Sequence, residues 1–112
     1  MPFVKLPADT VIAPEKVTKY LLVRHARGDK AAFLAKAGYT IANPEQLLDD
    51  LRRQVLSQEA VPLQRTKFGQ LYEIRTLLTG PNRSALRIRS IWIREHLSGV
   101  TKFITLVPDR KE

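Results

Sequence analysis

Apolar positions change period midway along the chain. In the first half they recur at helical spacing, and in the second they alternate with polar residues. "PEKVTKYLL", residues 14 to 22, opens on a proline suited to a first helical turn and puts Val17, Tyr20 and Leu21 on one face, which predicts a short helix. "DKAAFLAKAG" follows from Asp29, a capping residue, through four alanines with Phe33 and Leu34 to a stop at Gly38, which predicts a second helix. Asn43, Pro44 and Gln46 form a capping signal for a third. Its stripe Leu47, Leu48, Leu51 and Val55 faces inward and leaves Asp49, Asp50, Arg52 and Arg53 outside.

Beyond these helices lie four β-type runs, roughly Val61 to Phe68, Leu71 to Thr79, Ala85 to Arg94 and Thr101 to Val107. They are separated by Gly69-Gln70, by Gly80-Pro-Asn-Arg-Ser84, with Asn82 suited to left-handed geometry, and by Ser98-Gly99. Short turns between consecutive strands imply an antiparallel meander. The expected fold is α+β, a single domain over residues 1–112 with three N-terminal helices packed on one face of a four-stranded antiparallel meander.

The third run, "ALRIRSIWIRE", carries two alternations out of phase: Leu86 and Ile88 with Arg87 and Arg89, then Ile91 and Ile93 with Trp92 and Arg94. A bulge near Ser90 reconciles them, turning the four aliphatic residues inward and gathering Arg87, Arg89, Trp92 and Arg94 on the open face. Without the bulge, Trp92 is a core residue facing the helices.

Charge makes that face interesting. The net charge is +8, and most of the excess falls on the strands: residues 1–59 hold nine Lys and Arg against seven Asp and Glu, residues 60–107 eight against two. A surplus of this size calls for an anionic partner, either nucleic acid or an acidic protein. Guanidinium groups neutralise phosphates and an indole stacks on a base, so the open face has the parts of a nucleic-acid platform. The absence of cysteine removes disulfides, thiolate metal ligands and thiol nucleophiles. No apolar run approaches a membrane span and the N-terminus lacks the pattern of a signal peptide, so a soluble, cytoplasmic protein with no membrane contact is expected.

Metal-dependent phosphodiester chemistry needs converging carboxylates, and the strand half offers only Glu73 and Glu95. Metal-independent RNA cleavage asks for a base, an acid and cations or hydroxyls around the phosphorane, with no cofactor. His25, Lys30, Thr105 and the strand arginines suit it. His25 lies in "VRHARGDK", residues 23 to 30, where Arg24 and Arg27 favour its neutral form and add cations for RNA. His96 is assigned no role.

"KVTKYLLV" (16 to 23), "DKAAFLAKAGYT" (29 to 40), "NPEQLLDDLR" (43 to 52), "FGQLYEIRTLLTGPN" (68 to 82), "SIWIRE" (90 to 95) and "KFITLVPD" (102 to 109) together resemble a family of small bacterial domains of unassigned function. Its members stand alone in compact gene pairs or at the ends of phage-head and polymorphic-toxin proteins. The resemblance implies a toxin-like context and, at the level of fold, kinship with barnase-like and colicin-type ribonuclease toxins. It singles out Asp29, Lys30, Trp92 and Thr105: Lys30 with a strand arginine to hold phosphate, Thr105 to donate to it, Trp92 to stack on a base, and Asp29 to cap its helix. His25 lies outside the matching segments. The expected function is a metal-independent endoribonuclease neutralised by an acidic antitoxin or immunity protein. A non-catalytic basic binding module and a structural accessory of a phage or toxin assembly stay open beside it.

Overall fold

The computed structural model describes residues 3–23 and 30–109. Strands β1 (Val4–Lys5), β2 (Glu59–Arg65), β3 (Gly69–Thr79), β4 (Ala85–Glu95) and β5 (Thr101–Pro108) form one antiparallel sheet in chain order. Helix α1 (Pro14–Lys16) runs on as a wider π-helical turn (Val17–Leu21). Helix α2 spans Lys30–Ala35, and α3 (Pro44–Asp50) also ends in a π-helical turn (Leu51–Val55). The expected three N-terminal helices on a four-stranded meander are therefore corrected: a strand precedes the helices, the sheet has five strands, and α1 and α2 are short beside it. Two residues are too few to show alternation. Val4 and Lys5 become a strand only by pairing with Ala60 and Glu59 of β2.

The same N-terminal arm reaches the far edge of the sheet. Val11 bridges to Lys102 in parallel fashion, donating to the Thr101 carbonyl at 2.8 Å and accepting from the Phe103 N–H at 2.9 Å. The Arg52 guanidinium pins the arm between these points, donating to the carbonyls of Ala8 and Thr10, each at 2.9 Å.

The core lies between the helices and one face of the sheet. Val17, Leu21, Leu34, Leu47, Leu51 and Val55 meet Ile74, Leu78, Ile88, Trp92 and Leu106, all fully buried. On β4 the buried positions are Leu86, Ile88, Ser90 and Trp92, a plain two-residue alternation through Ser90. The bulge expected there lies on the neighbouring strand instead: Ile91 pairs with Thr105 and Trp92 with Phe103, which leaves Ile104 as the extra residue of β5.

Polar residues inside this core are hydrogen-bonded. Asp50, expected on the outer side of α3, is only 2% exposed; its Oδ2 accepts from the Tyr39 hydroxyl at 2.6 Å and from Gln46 Nε2 at 3.1 Å. Burial first, and the adjacent Asp50 second, push the Tyr39 phenol far above its ordinary range. Asn43 precedes α3 without capping it, because its side-chain oxygen accepts from the Thr40 N–H at 2.8 Å. In the turn between β3 and β4 the left-handed residue is Arg83 (φ 73°), not Asn82, which instead donates from its backbone and side chain to the carbonyls of Ala37 and Lys36. Gly80 is required at that docking point, since a Cβ there would stand 2.0 Å from the Ala37 carbonyl oxygen.

Candidate functional site

Three side chains meet where α1, the start of α2 and the bulged edge of β5 converge. Lys30 Nζ donates to the Tyr20 hydroxyl and to Thr105 Oγ1, both at 2.8 Å, and stands 4.7 Å from the centroid of the Tyr20 ring. The local backbone explains the meeting. In the π-helical turn of α1, Val17 and Leu21 take the fully buried positions and Tyr20 turns outward, 39% exposed. The bulge at Ile104 shifts the phase of β5, so that Phe103 and Leu106 enter the core and Thr105 stays half-buried beside Lys30.

Among the described residues no carboxylate pairs with Lys30, whose partners are neutral hydroxyls. Its hydrogen bond, then that of Thr105, holds the Tyr20 phenol below its ordinary range despite some desolvation, with further help from the charges of Lys30 and Lys16. Tyr20 and Thr105 also line a cleft of about 430 Å³ with Lys16, Glu15, Ala13 and Ile104. A cation flanked by two hydroxyls, one of them acidified, can bind an oxyanion and exchange a proton with it.

Of the residues nominated from sequence, Lys30 and Thr105 are brought together. His25, Arg24 and Arg27 lie outside the described residues. The shared open face on β4 is corrected. Trp92 is fully buried, donating its indole N–H to Ser90 Oγ at 2.9 Å and meeting the Phe103 ring edge-on at 5.1 Å, so it has no face for a base. Ser90 holds the regular alternation, and this puts Trp92 on the helix-covered side. Arg87 and Arg89 lie on the opposite face, where Glu73 pairs with Arg89 and also, at 3.4 Å, with Arg75. Arg94 belongs by alternation to the face of Trp92 and lines a separate cleft beyond the helices.

Sequence reasoning missed Tyr20, assigned to the buried face because it lies three residues after Val17. Its hydroxyl was the available signal, since a phenol bordering a cationic segment serves a polar role better than leucine. Among the described residues no three of His, Asp and Glu converge as metal ligands, and no helix is long and apolar enough to cross a membrane.

The fold and site define a small antiparallel-sheet domain with a lysine–tyrosine–threonine cluster at a sheet edge. The chain belongs to the family described as a domain of unknown function, DUF6883, whose match spans residues 5–110. No curated protein and no solved structure matches it significantly.

Proposed function

We propose that this protein is a toxin-like, metal-independent endoribonuclease whose working groups are Lys30, Tyr20 and Thr105. The observation that carries the reading is the placement of one lysine ammonium 2.8 Å from each of two hydroxyls beside an open cleft, with no carboxylate partner among the described residues. In this reading a substrate phosphate sits against Lys30, which stabilises the negative charge of the phosphorane. Thr105 donates to a non-bridging oxygen. The Tyr20 phenolate takes the 2′-hydroxyl proton as the 2′-oxygen attacks phosphorus, and the P–O5′ bond breaks with the 5′-oxygen taking a proton from the Lys30 ammonium, giving a 2′,3′-cyclic phosphate and a 5′-hydroxyl. The lowering of the phenol's pKa by Lys30 and Thr105 favours that task.

The test is incubation of purified protein with total RNA in EDTA. The wild type should cleave and leave cyclic phosphate ends, while Lys30→Ala and Tyr20→Phe should each lose at least a hundredfold in rate. Intact RNA with the wild type overturns the proposal. A second reading is non-catalytic docking of an acidic protein such as an antitoxin. It is favoured by Arg75, Arg87 and Arg89 on the open sheet face, where Glu73 and Asp109 are the more buried partners of Arg75. Capture of an acidic partner that is lost in Arg75→Glu/Arg87→Glu would select it.

A further inference from the structure

The cleft that receives Arg94 is a second concentration of positive charge. It lies at the end of the sheet where the β2–β3 and β4–β5 turns meet, and encloses about 340 Å³ lined by Arg65, Gln70, Tyr72, Arg94 and His96. Register explains the convergence: Gln70 pairs with both Arg65 and Arg94, and Tyr72 pairs with Trp92, so β2, β3 and β4 present neighbouring side chains just past the last core row. The two turns are tied together, since the His96 backbone N–H donates to the Phe68 carbonyl and its Nε2–H to the Thr66 carbonyl, each at 3.0 Å. Gly69 permits the close strand approach; a Cβ there would stand 2.2 Å from the Arg94 carbonyl oxygen.

Among the described residues neither Arg65 nor Arg94 has a carboxylate partner. Glu95, which also borders the cleft, is already engaged by Lys102 at 3.2 Å and by the Ser98 hydroxyl at 2.9 Å. Phe68, whose carbonyl accepts from the His96 N–H, is 67% exposed with Lys67 Nζ 5.3 Å from its ring centroid, and Leu97 on the other turn is fully exposed. Aromatic faces beside unpaired guanidinium groups in a concave site of small-ligand volume suit one or two nucleotides of a flexible strand. A folded acidic protein presents a mainly convex surface whose carboxylates stand on flexible stems, with few exposed rings to enter such a cleft.

We infer that this cleft is a binding site for single-stranded RNA, with Arg65 and Arg94 on the phosphates and Phe68 or Tyr72 against a base. It shares with the nuclease reading only the nature of the ligand. The experiment is fluorescence anisotropy with a labelled 2′-O-methyl 12-mer, which has no 2′-hydroxyl and cannot be cleaved by the proposed route. Arg65→Ala/Arg94→Ala should weaken binding about tenfold or more and reduce the salt slope by roughly 1.4, the value for two phosphate contacts on a single strand. Phe68→Ala should cost several-fold, Arg65→Lys/Arg94→Lys should keep most of the affinity, and Arg83→Ala, in the turn at the other end of the sheet, should match the wild type.

Binding by the double alanine variant within twofold of wild type overturns the inference. So does displacement of the probe by polyglutamate as effective as by polyuridylate, which would assign the cleft to acidic polypeptides. The two readings fail separately. Probe binding lost in the double variant, with no cleavage of ordinary RNA by the wild type, removes the nuclease and keeps this site. Cleavage together with unchanged probe binding does the reverse.

Discussion

Tyr20 and Tyr39 are pulled in opposite directions by their neighbours. Lys30 and Thr105 lower the first, whereas burial and Asp50 raise the second. A spectrophotometric titration of tyrosinate absorbance should therefore begin with Tyr20, below the ordinary value near 10, and leave Tyr39 neutral until the chain unfolds. In Lys30→Ala the early phase should move up toward the ordinary value; an unmoved first phase would mean that Lys30 does not set it. Ser90 shows how one residue obscured the core. A serine at a buried position reads as a break in the apolar alternation, yet its hydroxyl donates to the Ile74 carbonyl at 2.9 Å and accepts the Trp92 indole N–H. That exchange makes a polar side chain fit the interior and keeps β4 in one phase. Ser90→Ala should lower stability by about 1–3 kcal/mol in urea titration, the cost of orphaning a buried donor and acceptor.

Among the elements, β3 and β4 were the most legible in extent, although the phase of β4 was misread at Ser90. The strand β1, the π-helical turns and the bulge of β5 were not, since each arises from pairing or packing with distant residues and leaves no period in the sequence. The site inherited this limit: Lys30 and Thr105 were nominated from their chemistry and again through resemblance, but their junction with Tyr20 depends on a phase change in α1 and another in β5. Asp50 was likewise placed outside together with Asp49, but only Asp49 is exposed, paired with Arg53 at 3.2 Å. The Tyr39–Asp50 contact ties α3 to the loop after α2, and it carries a pH signature. The folded-state pKa of Tyr39 lies above its unfolded value, so its contribution is complete below about pH 10 and is lost as pH rises further, where only the unfolded chain ionises readily. Tyr39→Phe should flatten the fall in stability above pH 10, measured by denaturant midpoints. An equally steep fall would show that another group controls alkaline unfolding.

For the molecule as a whole, the net charge of +8 is divided among separate surfaces. The Lys30 cluster lies at the β5 edge, the Arg65–Arg94 cleft at the turn end, and Arg75, Arg87 and Arg89 on the open sheet face. Sequence gave the amount of charge; the register of the strands divided it, and register is a long-range property. Binding of any polyanion should accordingly weaken linearly in log affinity with log salt, and a salt-insensitive affinity would rule out these cations as its source.

The N-terminal arm has a consequence for how the molecule behaves among its own copies. Lys5 pairs with β2 and Val11 with β5, so five interstrand gaps separate them, about 24 Å laid flat; the six residues that join them reach only roughly 20 Å, so the sheet is drawn into a hoop fastened by one clasp. Both rims are guarded by a single short segment. Loosening the clasp at Val11 by proline, which has no N–H for Thr101, should leave a bare strand margin ready to recruit its like, seen in sedimentation as stronger concentration-dependent self-association than the native chain shows.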